Sequence, residues 1–182
     1  LRASFLLREA AEAGKINLAN PEYPEDGCGV VVLALGKHGA CELNYSSDID
    51  LVVFFDPESS CLKEDVEPGP LFVRITKSLS RMLQERTGDG YVLRVDLRLR
   101  PDPGSTAVAI SLPAAFSYYE NLGQNWERAA MIKARPVGGD LSAGRGFLER
   151  IKAFVWRKHL DFAAIQDAHD MRLRIRDHRG LH

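Results

Sequence analysis

Short apolar runs in the first half of the chain predict buried strands. Residues 30–35 are apolar throughout, and a second apolar run at 51–55 follows the polar stretch 46–50. Apolar runs of this length, bounded by turn residues, are typical of strands inside a sheet. Residues 91–100 alternate strictly in period two, which predicts a third strand with one face toward the core.

Helical patterns occupy most of the remaining chain. Apolar residues recur on one face of the segment 71–86, and basic residues lie largely opposite. Ser111 and Asn125 are typical N-cap residues, and a proline can halt the second of the helices that they begin. The pattern predicts a helical turn within 37–45 and helices over six segments: 1–13, 71–86, 111–120, 125–135, 142–160 and 161–177. Residues 56–70 and 138–140 have the composition of loops.

The character of the chain changes after the Pro-Asp-Pro-Gly turn at 101–104. Strand patterns precede this turn and helical patterns follow it, which predicts an α+β protein. We expect an α/β catalytic core with an N-terminal helix over 1–105 and a helical, bundle-like extension over 106–182. The chain begins without Met inside a predicted helix, which favours a segment of a longer protein.

The charge of the chain limits its possible partners. With 24 basic and 25 acidic residues, the formal net charge is -1, so we expect neither nucleic acid nor a membrane as partner. Any phosphate site must therefore be local. No apolar run approaches a membrane span, and the start lacks a signal-peptide layout. Three cysteines without CxxC spacing favour reduced thiols and a cytoplasmic protein.

Two carboxylates at the start of the second strand suggest a metal site. Side chains alternate along a strand, so Asp48 and Asp50 point to the same face, roughly 7 Å apart. Like charges this close favour a bound cation or proton, and carboxylate oxygens suit Mg²⁺ or Mn²⁺. The alternative is a solvated Asp-x-Asp at a strand start.

A third carboxylate lies among arginines on the predicted strand 91–100. Arg94, Asp96, Arg98 and Arg100 share one face of that strand, and alone they are typical of a surface salt-bridge ladder. Beside the other two carboxylates, Asp96 could instead complete a three-carboxylate metal site. Arg98 and Arg100 would then supply forked donors for phosphate oxygens.

Two other candidates are weaker. The pair His169-Asp170 invites comparison with metal phosphohydrolases, but convincing outer ligands are missing and a solvated helix face is the simpler interpretation. Trp126 and Trp156 stand among apolar neighbours on predicted helices, so we interpret them as core or interface residues.

Three stretches resemble one known family. They read GKHGACELNYSSDIDL at 36–51, VDLRLRP at 95–101 and WERAAMIKAR at 126–135. The order of strand, Gly-Lys, Asp-x-Asp strand and a later Asp resembles the DNA-polymerase-β-like nucleotidyltransferase superfamily. The residues of these stretches are similar to those of the bifunctional glutamine synthetase adenylyltransferase/adenylyl-removing enzymes. They are most similar to the N-terminal, adenylyl-removing copy of the two related domains in that family.

The resemblance implies a reaction and its machinery. The reaction would be phosphorolysis of AMP from an adenylylated tyrosine of glutamine synthetase, with inorganic phosphate consumed and ADP released. Asp48, Asp50 and Asp96 would hold Mg²⁺ or Mn²⁺, and Arg98 and Arg100 would hold the incoming phosphate. Hydrogen-bond donors to the nucleotide phosphates would come from four residues: Gly36, Lys37, Ser46 and Ser47.

Several alternatives stay open at this stage. The chain could be the adenylyl-transferring copy, which uses ATP and releases pyrophosphate. It could also be a catalytically weak module that docks glutamine synthetase or a PII-type signal protein. Glu127, Arg128 and Lys133 could line a nucleotide pocket or only tie the helical extension to the sheet.

Overall fold

The computed structural model describes residues 3–156, which form a mixed α+β fold. The elements, in chain order, are α1 Ala3–Glu12, β1 Val30–Ala34, α2 Gly36–Gly39, β2 Ile49–Phe55, α3 Pro68–Gln84, β3 Val95–Asp96, β4 Ala109–Ser111, α4 Leu112–Asn121, α5 Asn125–Met131, β5 Arg135–Gly139, α6 Leu141–Arg150 and α7 Lys152–Val155. Within the described residues, no helix combines the length and apolar content needed to cross a membrane.

The sheet is mixed and has β1 and β2 at its centre. Its order is β3-β2-β1-β5, and β4 also pairs with β2. β1 runs antiparallel to β2 and to β5, whereas β2 runs parallel to β3 and to β4. Because β1 occupies one edge of β2, the two short strands share the other edge. The two predicted central strands are confirmed.

Helices cover both faces of this sheet. Alternate residues of β1 and β2 pack with α1 and α3 on one face and with α4, α6 and α7 on the other. A strand that is buried on both faces must be apolar at every position, which explains the uninterrupted runs in the sequence. The predicted apolar face of α3 is also confirmed, since Leu71, Ile75, Leu79 and Leu83 are buried.

The prediction of one long strand over 91–100 is wrong. Only Val95–Asp96 pairs with β2. The N–H groups of Val92 and Leu93 donate to the carbonyl of Leu83 at the end of α3, and β4 takes the rest of the β2 edge. The alternating pattern therefore has no strand partner along most of its length.

Two helix predictions and one loop prediction also need correction. The helix α5 ends at Met131, and Gln124, rather than Asn125, is its N-cap. The predicted loop at 138–140 contributes to the edge strand β5, where a proline is tolerated. The predicted helix 142–160 is interrupted after Arg150.

Some predictions fall partly or wholly beyond the described residues. Trp156 is 61% exposed, so it is not a core residue. The helix 161–177 and the His169-Asp170 pair lie outside the described part. The division at residue 105 stays a prediction, although β4 and β5 show that the later part supplies two strands to the sheet.

Candidate active site

A cleft of about 580 Å³ lies at the start of β2. Most of the predicted site residues line this cleft, and Arg98 and Arg100 are the exceptions. Its lining residues are Gly36, Lys37, Asn44, Ser46, Ser47, Asp48, Asp50, Arg94 and Asp96. The turn after β1, the segment before β2, and β3 therefore meet at one place.

Three carboxylates converge in this cleft because of the sheet register. Asp50 on β2 stands directly opposite Asp96 on the parallel strand β3, and Asp48 lies two residues before Asp50. Burial, followed by the charges of Asp96 and Asp48, raises the pKa of the Asp50 carboxyl. The cluster thus carries unfavourable like-charge repulsion that a cation would relieve.

Arginines pair with two of the three carboxylates. The Arg98 guanidinium donates to both oxygens of Asp96, with Nη2 at 2.6 Å from Oδ2 and Nε at 3.0 Å from each oxygen. This hydrogen bonding is the main reason that the pKa of Asp96 is lowered. Arg94 forms an ion pair with Asp48 and also donates to the carbonyl of Ser46. Among residues 3–156, no guanidinium donates to Asp50.

The donor set of the cleft fits a hard divalent cation. Three carboxylates in one cavity match the oxygen ligands of Mg²⁺ or Mn²⁺. Within residues 3–156, no group of three His, Cys, Asp or Glu side chains stands arranged as a metal cluster. Arg94 and Arg98 form ion pairs with Asp48 and Asp96. The Arg98 side chain is 82% exposed, so it is free to turn away from Asp96.

The turn after β1 has a left-handed backbone at Gly36 and approaches the Asp50 side chain closely. Gly36 has a φ of +52°, and a Cβ at this position would lie 2.7 Å from Oδ2 of Asp50. The N–H of Leu35 also donates to the carbonyl of Asp50 at 2.9 Å. The positive φ and the close approach to the Asp50 carboxylate together favour glycine at this position.

Arg100 lies in a different environment from the other predicted donors. Its guanidinium donates to the carbonyls of Leu97 at 2.8 Å, Pro103 at 2.8 Å and Thr106 at 3.1 Å. These bonds organise the loop after β3 and occupy the side chain. The structure does not bring Arg100 into the cleft.

Sequence reasoning did not assign Arg94 and Asn44 to the site. Arg94 shares the polar face of Asp96, so the alternating pattern carried a signal for it. Asn44 had no comparable signal, because its place in the cleft depends on the path of the chain between α2 and β2.

Glu127 and Lys133 lie outside the cleft lining. Glu127 is 1% exposed, and its Oε2 accepts from the N–H of Gln124 at 2.7 Å. Burial raises the pKa of Glu127, while the Tyr118 hydroxyl and the Asp102 N–H face its carboxylate and oppose the rise. Lys133 forms an ion pair with Glu42 at 3.0 Å. Both residues connect elements of the fold.

Known proteins of one name are similar to this chain over nearly its whole length. The chain is 62% identical over 176 residues to the bifunctional glutamine synthetase adenylyltransferase/adenylyl-removing enzyme of Bradyrhizobium diazoefficiens, covering 97% of this chain. The proteins of the same name from Xanthobacter autotrophicus and Rhodopseudomonas palustris are 62% and 61% identical over 99% and 97% of the chain. The chain spans 18% of the length of each of these relatives.

A family model gives the same result for most of the fold. The model of glutamate-ammonia ligase adenylyltransferase matches residues 4–150, a range that includes all of the cleft and every strand. The chain therefore belongs to the glutamate-ammonia ligase adenylyltransferase family.

Proposed function

We propose that this chain is a metal-dependent, cytoplasmic nucleotidyltransferase domain of the DNA-polymerase-β-like type that removes AMP from an adenylylated tyrosine of glutamine synthetase. The observation that carries the proposal is the convergence of Asp48, Asp50 and Asp96 beside a Gly-Lys turn. The names of the relatives support glutamine synthetase as the protein substrate.

The proposed reaction is a phosphorolysis. An oxygen of inorganic phosphate forms a bond to the phosphorus of AMP, and the bond between that phosphorus and the tyrosyl oxygen breaks. ADP leaves, and the tyrosyl oxygen keeps the electron pair and takes up a proton. Asp48, Asp50 and Asp96 would hold Mg²⁺ or Mn²⁺, which stabilises charge on the entering and leaving oxygens of such a displacement.

The remaining cleft residues would position the two phosphates. Gly36, Lys37, Ser46 and Ser47 offer backbone, ammonium and hydroxyl donors to the nucleotide. Arg98 lies outside the cleft lining but is exposed and bonded to Asp96, and it can exchange that bond for one with the incoming phosphate. Arg94 lines the cleft itself. We assign the incoming phosphate to these two arginines, because Arg100 is held by three carbonyls.

The test is an ADP assay. The chain is incubated with adenylylated glutamine synthetase, Mg²⁺ or Mn²⁺ and inorganic phosphate, and ADP is measured over time. Asp48→Asn should lower the rate by about 100-fold or more, since it removes a charge that acts at the reacting centre. Asp89→Asn, the same change on an exposed turn outside the cleft, should leave the rate unchanged. Equal rates for both variants would contradict the role of Asp48.

The second candidate is adenylyl transfer, because the relatives' names contain both activities. Pyrophosphate release from ATP with unmodified glutamine synthetase, without phosphate-dependent ADP, would establish this reaction instead. Binding of glutamine synthetase without binding of metal or nucleotide would identify a docking module.

A further inference from the structure

The backbone turn that borders the cleft is held from behind by one arginine of β5. The Arg135 Nε donates to the carbonyl of Gly39 at 3.1 Å, and Nη2 donates to the carbonyl of His38 at 3.0 Å. These carbonyls lie at the end of α2, where helix carbonyls lack partners within the helix. The His38 carbonyl also accepts from the N–H of Cys41 at 3.2 Å. A cation at that end also interacts favourably with the backbone dipoles.

The position of Arg135 is fixed by the sheet. Its Cα stands opposite Ala34 on β1, and α2 begins two residues after Ala34. The guanidinium therefore reaches the far end of the turn while its own backbone stays beside the strand that leads into the turn.

The turn is packed tightly at both ends. At one end Gly36 meets the Asp50 carboxylate, as described above. At the other end, a Cβ on Gly39 would lie 2.1 Å from the carbonyl oxygen of Lys133 and 2.7 Å from that of Ala34. A four-residue element held between Asp50 and the 133–135 backbone has little freedom to shift alone.

We infer that Arg135 is a positioning residue for the proposed reaction: it holds the Gly36-Lys37 turn at the distance from Asp50 that nucleotide phosphates require. This inference rests on the proposed function, because it takes the cleft as the nucleotide site. Arg135 does not line the cleft itself and acts only through the backbone of α2. Its forked geometry matters, since the two carbonyls are met by two different guanidinium nitrogens.

The test compares three variants of the full chain. Arg135→Gln removes the charge and one donor, Arg135→Lys keeps the charge but loses the fork, and Arg145→Gln makes the matched change on the exposed face of α6. We expect Arg135→Gln to lower kcat/KM by about 10- to 100-fold, as displacement of a positioned group does. Arg135→Lys should fall between Arg135→Gln and the unchanged protein, and Arg145→Gln should match the unchanged protein.

Two readouts separate positioning from general loss of structure. The affinity for AMP, measured by titration calorimetry with Mg²⁺, should fall in Arg135→Gln, whereas binding of unmodified glutamine synthetase should not. Millimolar guanidinium chloride should restore part of the Arg135→Gln rate and should not raise the rate of the unchanged protein. If Arg135→Gln does not fold, full kcat/KM in Arg135→Lys would still overturn the inference.

Hydrogen exchange distinguishes failure of this inference from failure of the proposed function. Backbone amides of residues 36–41 should exchange faster in Arg135→Gln than in Arg145→Gln. If the unchanged protein forms no ADP but these amides still exchange faster in Arg135→Gln, the proposed function is refuted. The structural role of Arg135 at the turn is then retained. Unchanged exchange together with unchanged kcat/KM would refute the positioning role alone.

Discussion

Two carboxylates of this chain, the half-buried Asp50 in the cleft and the fully buried Glu127 on α5, lose contact with water to different degrees, and burial raises the pKa of both. Their neighbours differ. Asp50 faces the charges of Asp96 and Asp48, which raise its pKa further. Hydrogen bonds from Gln124, Tyr118 and the Asp102 backbone oppose the rise at Glu127, and the Asp102 charge, the smallest of these influences, adds to it.

The difference distinguishes a carboxylate suited to binding a cation, Asp50, from one suited to stabilising the fold, Glu127. Neutral donors satisfy Glu127 in part, so it can join α5 to α4 and to the loop after β3 without an added ion. Burial and then the charge of Glu127 raise the pKa of Tyr118 to about 12. Asp50 stands among like charges, and an added cation is the simplest way to stabilise it.

The largest expected effect is on activity when Asp50 is neutralised. Asp50→Asn keeps the side-chain shape, removes one charge from the cluster and relieves repulsion with Asp48 and Asp96. We expect ADP formation to fall by about 100-fold or more, with a melting temperature equal to or above that of the unchanged protein. Full activity of Asp50→Asn, or a large loss of its thermal stability, would show that Asp50 has a structural role like that of Glu127.

The next effect is on stability when Glu127 is truncated. Glu127→Ala removes the acceptor of the partly buried Gln124 N–H and opens a cavity at a side chain that is 1% exposed. Leaving a buried polar group without its partner costs about 1–3 kcal/mol, so the free energy of unfolding in urea should fall by about this amount. The rate per folded molecule should fall far less than in Asp50→Asn. A rate loss as large as that of Asp50→Asn would erase the distinction between the two carboxylates.

The smallest effect is a difference in pH dependence. Because the pKa of Glu127 is raised in the folded state, its stabilising contribution is present below the unfolded-state pKa. That contribution is lost as pH rises through the folded-state pKa. The free energy of unfolding should therefore decline less across this range in Glu127→Gln than in the unchanged protein. Parallel curves for the two proteins would show that Glu127 does not titrate differently on folding.

The sequence predicted the elements whose environment is uniform along the chain. The strands at β1 and β2 and the apolar face of α3 were found because every residue in each run obeys one pattern of burial. The strand predicted over 91–100 is too long, because successive parts of this segment contact different elements. These are first α3, then β2 and finally the loop that follows. β5 was missed because a Pro-Val-Gly-Gly segment has little strand character, and the free edge of β1 pairs with it nonetheless.

The candidate site shows the same division. Local spacing was enough to place Asp48 and Asp50 on one face, since strand geometry repeats every two residues. The alternation of the 91–100 segment placed Asp96, Arg98 and Arg100 on one polar face, so all three were predicted as site residues. Only the turn after Leu97 directs Arg100 to backbone carbonyls and away from the cleft.

By itself, the sequence determined the central strands, the α3 core face, the Asp-x-Asp pair and the likeness to a family of adenylyl-transferring enzymes. Tertiary structure decided that Asp96 stands opposite Asp50, that Glu127 is buried away from the cleft, and that Arg135 holds the Gly-Lys turn. The physical reason is range. Periodicity and spacing are properties of neighbouring residues, whereas these three arrangements depend on strand register and packing between segments that are distant along the chain.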